Sequence, residues 1–524
     1  MPKTVARGLG MGRSAWLLPL DLTFKLIGLR YRWFKFLFDH APAEPLAVLG
    51  RRRAERVAWR AVERVPAYRS YLANAGVDVV RLVPWHILSH LPETDKRSYV
   101  DRYPVAERCI DGRIPFRGTT IDESSGATGA PYNWIRSQRE RHVAHRNISF
   151  FARYCFGAEP LVTINAFSMG AWATGFNMSL ALNRNGLVKS TGPDVQKILS
   201  TLRFLGPGYR YLICGYPPFV KHLLDRGEEE GFRWESYRLH ALVGGEGMAE
   251  ELRDYLLGRF ESVFSGYGAT DIEIGMAGES PASVALRRIA RARPDVRRVL
   301  FGEDHRLPMI FQYNPLIHYL ETNAQGEVIC TISRLDVLAP RIRYNVHDAG
   351  GVAAYAEVAE RLQDFGLDLA TLDHQPDAAG PRGPLPWTRP VQLPFLWIYG
   401  RRDQTISVMG ANIYPEDVEA LLYGDPQLAP HVHSFCLSVV TDVATTPRPG
   451  VFVELQSGTT LGEDLAERVA SRLRDGLAAV DLDFRAACEE YPAAMLPIVT
   501  FYPQGTGPFA GDAGRIKQRR VAAS

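Results

Sequence analysis

Helical and extended patterns alternate along this 524-residue chain, and the alternation constrains its fold more than any other feature. Apolar residues recur at steps of four and three from Ala144 to Cys155, and at steps of four from Leu252 to Phe260, as on the buried face of an amphipathic helix. Short apolar runs lie between such stretches, at 161–164, 211–214 and 239–243. These runs suit strands that are buried on both faces of a parallel sheet. The pattern therefore predicts an α/β protein.

A second unit is predicted to begin near residue 401. Six prolines fall between Pro376 and Pro394, which excludes a helix and most central strand positions there. A strand is predicted at 395–399, and a new series of helix and strand patterns follows it. We therefore expect an N-terminal helical extension (1–50), a large domain of α/β subdomains (51–400) and a small α+β domain (401–524).

The composition excludes two kinds of site. A net charge of +3 and a pI near 8.4 are small for this length, so nothing points to nucleic acid as a partner. The six cysteines are far apart and form no C-x-x-C pair, which argues against a disulfide framework and a thiolate zinc site. A cytoplasmic location is the expectation that follows.

Residues 15–38 are rich in Leu, Phe, Trp and Tyr and need a separate interpretation. Charged residues interrupt them at Asp21, Lys25, Arg30, Arg32 and Lys35. Each charge at mid-bilayer costs about 2.5 to 3.5 kcal/mol, so we reject a transmembrane helix. No small-residue cleavage signature follows, so we also reject a secretory signal. Two interpretations stay open: a helix packed on its own domain, which we favour, and an amphipathic segment that contacts a membrane surface.

Five short segments occur in an order that suits a nucleotide site. Together they supply a hydroxyl and glycine turn for phosphates, a small-residue edge for a purine, an aromatic face, a metal-competent carboxylate and a carboxylate for ribose hydroxyls. The segments are 124–129, 244–246, 266–271, 343–348 and 400–410. None is specific alone, and their order carries the prediction.

The first of these segments has the chemistry of a phosphate-binding turn. Gly126 and Gly129 permit backbone angles that let successive N–H groups converge on an anion. Hydroxyl donors flank these glycines at Ser124, Ser125 and Thr128. Ala130 and Pro131 stand where a Walker loop would need lysine and a hydroxyl residue, so that motif is excluded.

The ordered segments resemble those of the adenylate-forming ligases, and within them the phenylacetate–CoA ligase-like branch. The most specific match is a Gly-Arg-x-Asp hinge at 400–403, followed by a Gly-x-Asn-x-x-Pro-x-x-(I/V)-Glu run at 410–419. The resemblance extends from about Arg52 to the C-terminus. It implies a large adenylate-forming domain, a small mobile C-terminal domain, and the use of ATP, Mg²⁺ and CoA.

The resemblance also implies roles for individual residues. Tyr267 would stack on adenine, Asp348 would bind the ribose and Asp403 would be the hinge. Other residues implied to contact the nucleotide or cofactor are Ser124, Ser125, Gly126, Thr128, Gly129, Gly245, Glu246, Gly268, Arg401 and Gly410. An aromatic segment after a predicted strand stands at the family's acid-binding position, with Phe167, Met169 and Trp172 as candidates to line the acyl group.

Three positions depart from the family pattern. Ala130 replaces the phosphate-loop lysine, and Asp271 replaces the metal-side glutamate. Thr270 and Asp271 are candidate catalytic residues in this segment. Mg²⁺ would then be held by Asp271 through water or by Glu273. Arg515 stands where the family has its catalytic lysine, and Lys517 would lie on the same side of an extended segment. Either cation is a candidate for that role.

The implied reaction joins a small-molecule carboxylic acid to ATP as an acyl adenylate and then transfers the acyl group to CoA. Two alternatives stay open. One is a divergent member that binds a nucleotide or an acyl ligand without efficient adenylation. The other is an adenylating enzyme with an amine or carrier-protein acceptor. The chain is expected to be a monomer or a homodimer, and its acid is not indicated by any residue.

Overall fold

The fold is described from a computed structural model, which covers residues 26, 28–124, 132–170, 173–304, 306–378, 380–381, 390–401, 406–409, 411–441, 447–459, 464–510 and 521. Its helices are α1 Tyr31–His40, α2 Ala43–Arg64, α3 Pro66–Asn74, α4 Gln138–Phe156, α5 Ala173–Leu182, α6 Val195–Leu205, α7 Pro217–Glu229, α8 Glu250–Leu257, α9 Pro281–Ala292, α10 Pro294–Phe301, α11 Tyr355–Gln363, α12 Pro415–Tyr423, α13 Leu465–Val480 and α14 Leu482–Glu490.

The strands alternate with these helices in the first half of the chain and cluster in the second. They are β1 Thr119–Glu123, β2 Asn133–Ser137, β3 Leu161–Asn165, β4 Gly186–Ser190, β5 Arg210–Gly215, β6 Arg238–Gly244, β7 Ser262–Ala269, β8 Glu273–Gly278, β9 Met309–Tyr313, β10 His318–Thr322, β11 Glu327–Ile332, β12 Tyr344–Ala353, β13 Phe395–Arg401, β14 Ile406–Val408, β15 Ala411–Ile413, β16 Val432–Thr441, β17 Pro447–Leu455 and β18 Ile498–Tyr502.

One large sheet organises the molecule, with eleven strands among the described residues in the order β10-β11-β12-β13-β9-β8-β7-β6-β5-β3-β4. The neighbouring strands among β3 to β7 pair in parallel. From β7 to the far edge of the sheet at β10, through β8, β9, β13, β12 and β11, all neighbouring strands pair antiparallel. The predicted apolar runs at 161–164, 211–214 and 239–243 lie in β3, β5 and β6, inside the parallel part. The predicted α/β class is confirmed.

Two details of the sequence interpretation are wrong. Helix α8 ends at Leu257, so Phe260 is outside it; the backbone N–H of Glu261 instead donates to Leu239, and the chain enters β7. Phe260 is still fully buried. In the proline-rich stretch, Pro376–Ala378 forms one turn of 3₁₀ helix, because proline is tolerated at the first position of a helix.

The described residues from 406 to 510 form what we call the C-terminal unit. Its main sheet has the order β16-β17-β18, in which β16 and β17 are antiparallel and β17 and β18 are parallel. Helices α13 and α14 make the crossover between β17 and β18, and α13 packs on β18. The unit has the α+β composition expected of a small second domain, while the boundary itself at 401 stays a prediction.

Polar groups join α7 of the large sheet's helical layer to the C-terminal unit. The Lys221 ammonium is almost fully buried and donates to Asp225 at 2.7 Å and to the Val432 carbonyl at 3.2 Å. Gln456 donates to the same Asp225 carboxylate at 2.9 Å, and its Oε1 lies 3.1 Å from His222 Nδ1. We call this set the inter-unit network.

The N-terminal helix α1 packs on α4. The Phe34 ring lies 4.9 Å from that of Phe150 and 4.5 Å from that of Phe38, and the Tyr31 ring lies 5.7 Å from Phe150. This packing is what the favoured interpretation of residues 15–38 expects for the part that the structure describes. None of the described helices has the length and apolarity that crossing a membrane requires.

Candidate active site

A cavity of about 490 Å³ opens at the carboxyl ends of β6 and β7. Ligands of open α/β sheets bind in this position, outside the carboxyl ends of parallel strands. The turn that follows β6 contributes Gly244, Gly245 and Glu246, and β7 contributes Tyr267 and Gly268. These two segments meet the other three around one space, at Asp348, at Gly400 and at Ser124, which is the stem of the first segment.

Tyr267 and Asp348 touch directly, although 81 residues separate them in sequence. The Tyr267 hydroxyl donates to Asp348 Oδ2 at 2.5 Å, and its ring stacks on Phe311 with centroids 5.6 Å apart. Strands β8, β9 and β13 lie between their two strands in the sheet order, so this part of the sheet curls strongly. The aromatic face and the carboxylate proposed for adenine and ribose are thus neighbours.

The strand that carries Asp348 is also tied to β13. Asp348 is the register partner of Arg401, and Ala349 of Gly400. Arg343 and His347, in the same segment, have φ values of 44° and 63°. Left-handed backbone is uncommon for residues other than glycine, and it is concentrated in functional segments.

Asp271 lies on the same cavity, in the turn between β7 and β8. The Tyr344 hydroxyl donates to its Oδ2 at 2.9 Å, and Lys96 Nζ lies 3.6 Å from the same oxygen. Two arginines fix the backbone of the turn, since Arg341 donates to the Asp271 carbonyl at 2.7 Å and Arg136 to the Thr270 carbonyl at 2.5 Å. The carboxylate is held in place and has a cation beside it.

Lys96 is a site residue that the sequence interpretation missed. Its ammonium lies 5.7 Å from the Tyr132 ring centroid and 5.9 Å from that of Trp134, within cation–π range. The preceding Thr94 forms a parallel bridge with Tyr344, which brings this loop to the start of β12. No local pattern marks this lysine, because the contact that places it comes from a strand about 250 residues away.

Glu273, the alternative metal residue, is not among the residues that line the cavity. Arg334 pairs with it at 2.5 Å and His318 at 3.0 Å. Burial acts to raise its pKa, but Arg334 and His318 outweigh burial and lower it to about 2. Asp271 is therefore the carboxylate that faces the cavity, and Glu273 is half of a buried ion pair. Within the described ranges no three His, Cys, Asp or Glu side chains group as a metal site.

Several predicted site residues lie outside the described residues. Ser124 is described. Its N–H donates to the Tyr132 carbonyl and its Oγ accepts from the Tyr132 N–H, each at 2.9 Å, so Ser124 forms the stem of the predicted phosphate turn. The residues outside are Ser125, Gly126, Thr128, Gly129, Trp172, Asp403, Gly410, Arg515 and Lys517. Of the acyl candidates, Phe167 lines the cavity, whereas Met169 is not among the lining residues.

No family model matches the chain. A phenylacetate-coenzyme A ligase of Thermus thermophilus is 23% identical to it over 74% of this chain and 78% of that protein. A phenylacetate-coenzyme A ligase of Pseudomonas putida is also 23% identical, over 75% of this chain and 80% of that protein. The solved structure of a 2-hydroxyisobutyryl-CoA ligase, in the postadenylation state in complex with R3-HIB-AMP, has a TM-score of 0.64 at 14% identity and covers 93% of this chain and 91% of that one.

The structural likeness covers nearly the whole chain, and the ordered segments meet at one cavity. The chain is similar in sequence to phenylacetate-coenzyme A ligases and has the fold of the 2-hydroxyisobutyryl-CoA ligase. A second solved structure of the 2-hydroxyisobutyryl-CoA ligase, in complex with 2-HIB-AMP and CoA in the thioesterification state, has a TM-score of 0.51 at 16% identity.

Beneath the turn at 244–246 lies a cluster of buried charges. Arg253 donates to Glu250 at 2.9 Å and to both oxygens of Glu279, at 2.8 and 2.6 Å. Arg287 donates to Glu250 at 2.5 Å and to the Met248 carbonyl at 2.9 Å. Burial acts to raise the pKa of Glu250, but the surrounding arginines outweigh burial and lower it to about 2. This arginine cluster holds the turn after β6.

Glu416, at the start of α12, also lines the cavity. Burial raises its pKa to about 7, with Asp417 and Glu419 acting in the same direction and Arg306 against them. An acid whose pKa is higher in the folded state contributes most to stability below its unfolded value near 4.5, and that contribution is lost as the pH rises through 7.

We expect Glu416→Gln, which is uncharged at every pH, to raise the melting temperature at pH 8 and to change it little at pH 5. Thermal unfolding at the two pH values measures this difference. Glu467→Gln, in the first turn of α13, is the control for removing a carboxylate from a helix start. Equal stabilisation by Glu416→Gln at both pH values would contradict the expectation.

Proposed function

We propose that this protein is an ATP-dependent ligase that activates a carboxylic acid as an acyl adenylate and transfers the acyl group to CoA. The observation that carries the proposal is the meeting of Tyr267, Asp348 and Asp271 at one cavity beside the small-residue turn at 244–246. An aromatic face, a ribose-binding carboxylate and a phosphate-side carboxylate are then in the relative order that an adenine nucleotide needs.

In the proposed first step, a carboxylate oxygen of the acid attacks the α-phosphorus of ATP in line. The bond from that phosphorus to the bridging oxygen breaks, and pyrophosphate leaves with the bond's electron pair. Backbone N–H groups of the phosphate turn and the cation supplied by Arg515 or Lys517 offset the added negative charge. No covalent bond to the protein is required.

Asp271 fits a magnesium ion. Mg²⁺ usually keeps several waters and takes one or two carboxylates together with substrate phosphates, so a single carboxylate facing the cavity is sufficient. When bound, the ion would neutralise charge on the phosphates. Lys96, 3.6 Å from the same carboxylate, adds a fixed cation next to this position.

For the second step we propose that the C-terminal unit turns about Asp403. The turn would withdraw the C-terminal cation and bring the segment at Gly410 toward the CoA thiol. The thiol sulfur then attacks the acyl carbonyl carbon and loses its proton to water. The bond from that carbon to the phosphate oxygen breaks, and AMP leaves with the bond's electron pair. The polar character of the inter-unit network supports such a turn, since its groups can be hydrated when the units separate.

The test is the release of AMP and pyrophosphate from ATP and magnesium with pooled aryl, fatty and amino acids, in the presence and absence of CoA. We expect acid-dependent release and a CoA-dependent increase in AMP. Asp348→Ala should strongly reduce the release of AMP and pyrophosphate. Asp78→Ala is the control, because it removes an exposed carboxylate, and it should not reduce the release.

Two results would redirect the proposal. If the release of AMP depends on an amine or on a carrier protein and not on CoA, that compound is the acyl acceptor in place of CoA. ATP binding without release from any pool would favour the divergent member that binds its ligands without efficient adenylation.

A further inference from the structure

The cavity that holds the nucleotide-side residues continues along α4 to the N-terminal helix α1. One face of α1 lines it, with Tyr31, Phe34 and Phe38 at steps of three and four. Phe38 is buried, and Phe34 and Tyr31 are half-buried. Phe36, on the other face of α1, is 65% exposed and does not line the cavity. The N-terminal helix is therefore a wall of the cavity.

Helix α4 supplies the facing wall. Seven of its residues line the cavity: Asn147, Ile148, Phe151, Ala152, Tyr154, Cys155 and Phe156. Ile148, Phe151, Ala152 and Cys155 form one largely apolar face of the helix. From Ile148 to Cys155 this face is about 10 Å long, at 1.5 Å per residue. The Cys155 thiol donates to the Glu279 carbonyl at 3.2 Å, and burial keeps its pKa well above the ordinary value, so the thiol is uncharged.

Strand β8 lets α4 lie directly on the sheet at this point. A Cβ atom on Gly278 would come 2.5 Å from the Phe151 ring, and one on Gly275 would come 2.4 Å from the Ile148 side chain. Val391 and Leu393 continue the apolar lining beyond the strand. The charged lining residue on α1, Lys35, is paired with Asp39 at 2.5 Å.

We propose that this branch of the cavity, between α1 and α4, takes the apolar tail of the acid substrate. The inference rests on the proposed function and adds a substrate class: elongated alkyl or arylalkyl monocarboxylic acids without a charge at the distal end. A carboxylate at the nucleotide side and a tail along α4 would place that distal end against Phe34 and Cys155. These two side chains then determine the length of acid that is accepted.

The test compares butyrate, octanoate, decanoate and decanedioate as substrates, by acid-dependent AMP release. Wild type should prefer octanoate and decanoate to butyrate, and should reject decanedioate because its second carboxylate would be buried without a partner. Cys155→Phe should lower kcat/KM for decanoate at least about 10-fold and leave butyrate nearly unchanged. Phe34→Ala should shift the preference to longer acids, and Phe36→Ala should change nothing.

A calorimetric titration of decanoate and decanedioate into the same variants, without ATP, separates this inference from the proposed function. Tighter binding of decanoate that Cys155→Phe weakens supports the tail site even if no AMP is released. Thermal melts of each variant confirm that it is folded. Turnover of butyrate and decanedioate as efficient as that of decanoate, or no effect of Cys155→Phe on decanoate binding and turnover in a folded variant, would overturn the inference while leaving the ligase proposal standing.

Discussion

We expect one of the two single variants, Arg515→Ala or Lys517→Ala, to lose adenylation and the other to keep it. The loss in rate should be about 10² to 10³-fold or more, while ATP binding is retained. Arg515 stands in the sequence where the ligases that this chain resembles have their catalytic lysine. Lys517, two residues on, would lie on the same side if the segment is extended. Acid-dependent pyrophosphate release measures the rate, and calorimetric titration of ATP measures binding.

Two substitutions make this result specific. Arg520→Ala removes a cation from the same basic stretch that would lie on the opposite side of an extended segment, and it is expected to leave the rate unchanged. Arg515→Lys keeps the charge and changes the shape of the cation. If Arg515 is the active residue, this variant should retain far more activity than Arg515→Ala. Full activity in both alanine variants would show that neither residue supplies the catalytic cation.

Arg253→Ala is expected to destabilise the protein by about 3 to 5 kcal/mol, because it removes the arginine paired with the buried Glu279 and one of the arginines around Glu250. The Arg253 side chain has no exposed surface, and Glu279 also accepts the Ser265 N–H at 2.7 Å. Loss of the arginine therefore loosens β7 two residues before Tyr267. Thermal or urea unfolding measures the change, and ATP affinity should fall in parallel.

Arg259→Ala is the matched control, since Arg259 follows the same helix and pairs with Glu228 where both side chains are exposed. A surface pair contributes about 0 to 1 kcal/mol, so little change is expected. The stability given by Glu250 is present above its unfolded pKa near 4.5 and is lost as the pH falls toward 2. An Arg253→Ala protein that is as stable as the Arg259→Ala protein would refute the structural role of the cluster.

Local apolar patterns predicted four strands of the large sheet, β3, β5, β6 and β13. Strands β3, β5 and β6 have short runs of consecutive apolar residues because both of their faces are buried. Such runs can be recognised in the sequence alone. The end of α8 was not predicted, because the apolar period continues to Phe260 although the backbone has left the helix. A side-chain period records burial and does not record where the hydrogen bonds stop.

The site was predictable only in part. The order of the segments indicated that Tyr267, Asp271 and Asp348 belong to one site, through the resemblance. Lys96 and Arg253 were not indicated, since an isolated charge in sequence carries no sign of its distant partner. The same limit applies to Glu273, whose ion pair with Arg334 depends on the sheet bringing β8 and the end of β11 together.

The inter-unit network has a further consequence for how easily the two units come apart. Its contacts across the units join Lys221 to the Val432 carbonyl and Gln456 to Asp225 and His222, and each of these polar groups gains water when its partner leaves. A net contribution of about 0.5 to 1.5 kcal/mol per hydrogen bond makes such a seam strong enough to set one docked orientation. The energy of these few hydrogen bonds does not prevent the turn that we propose about Asp403.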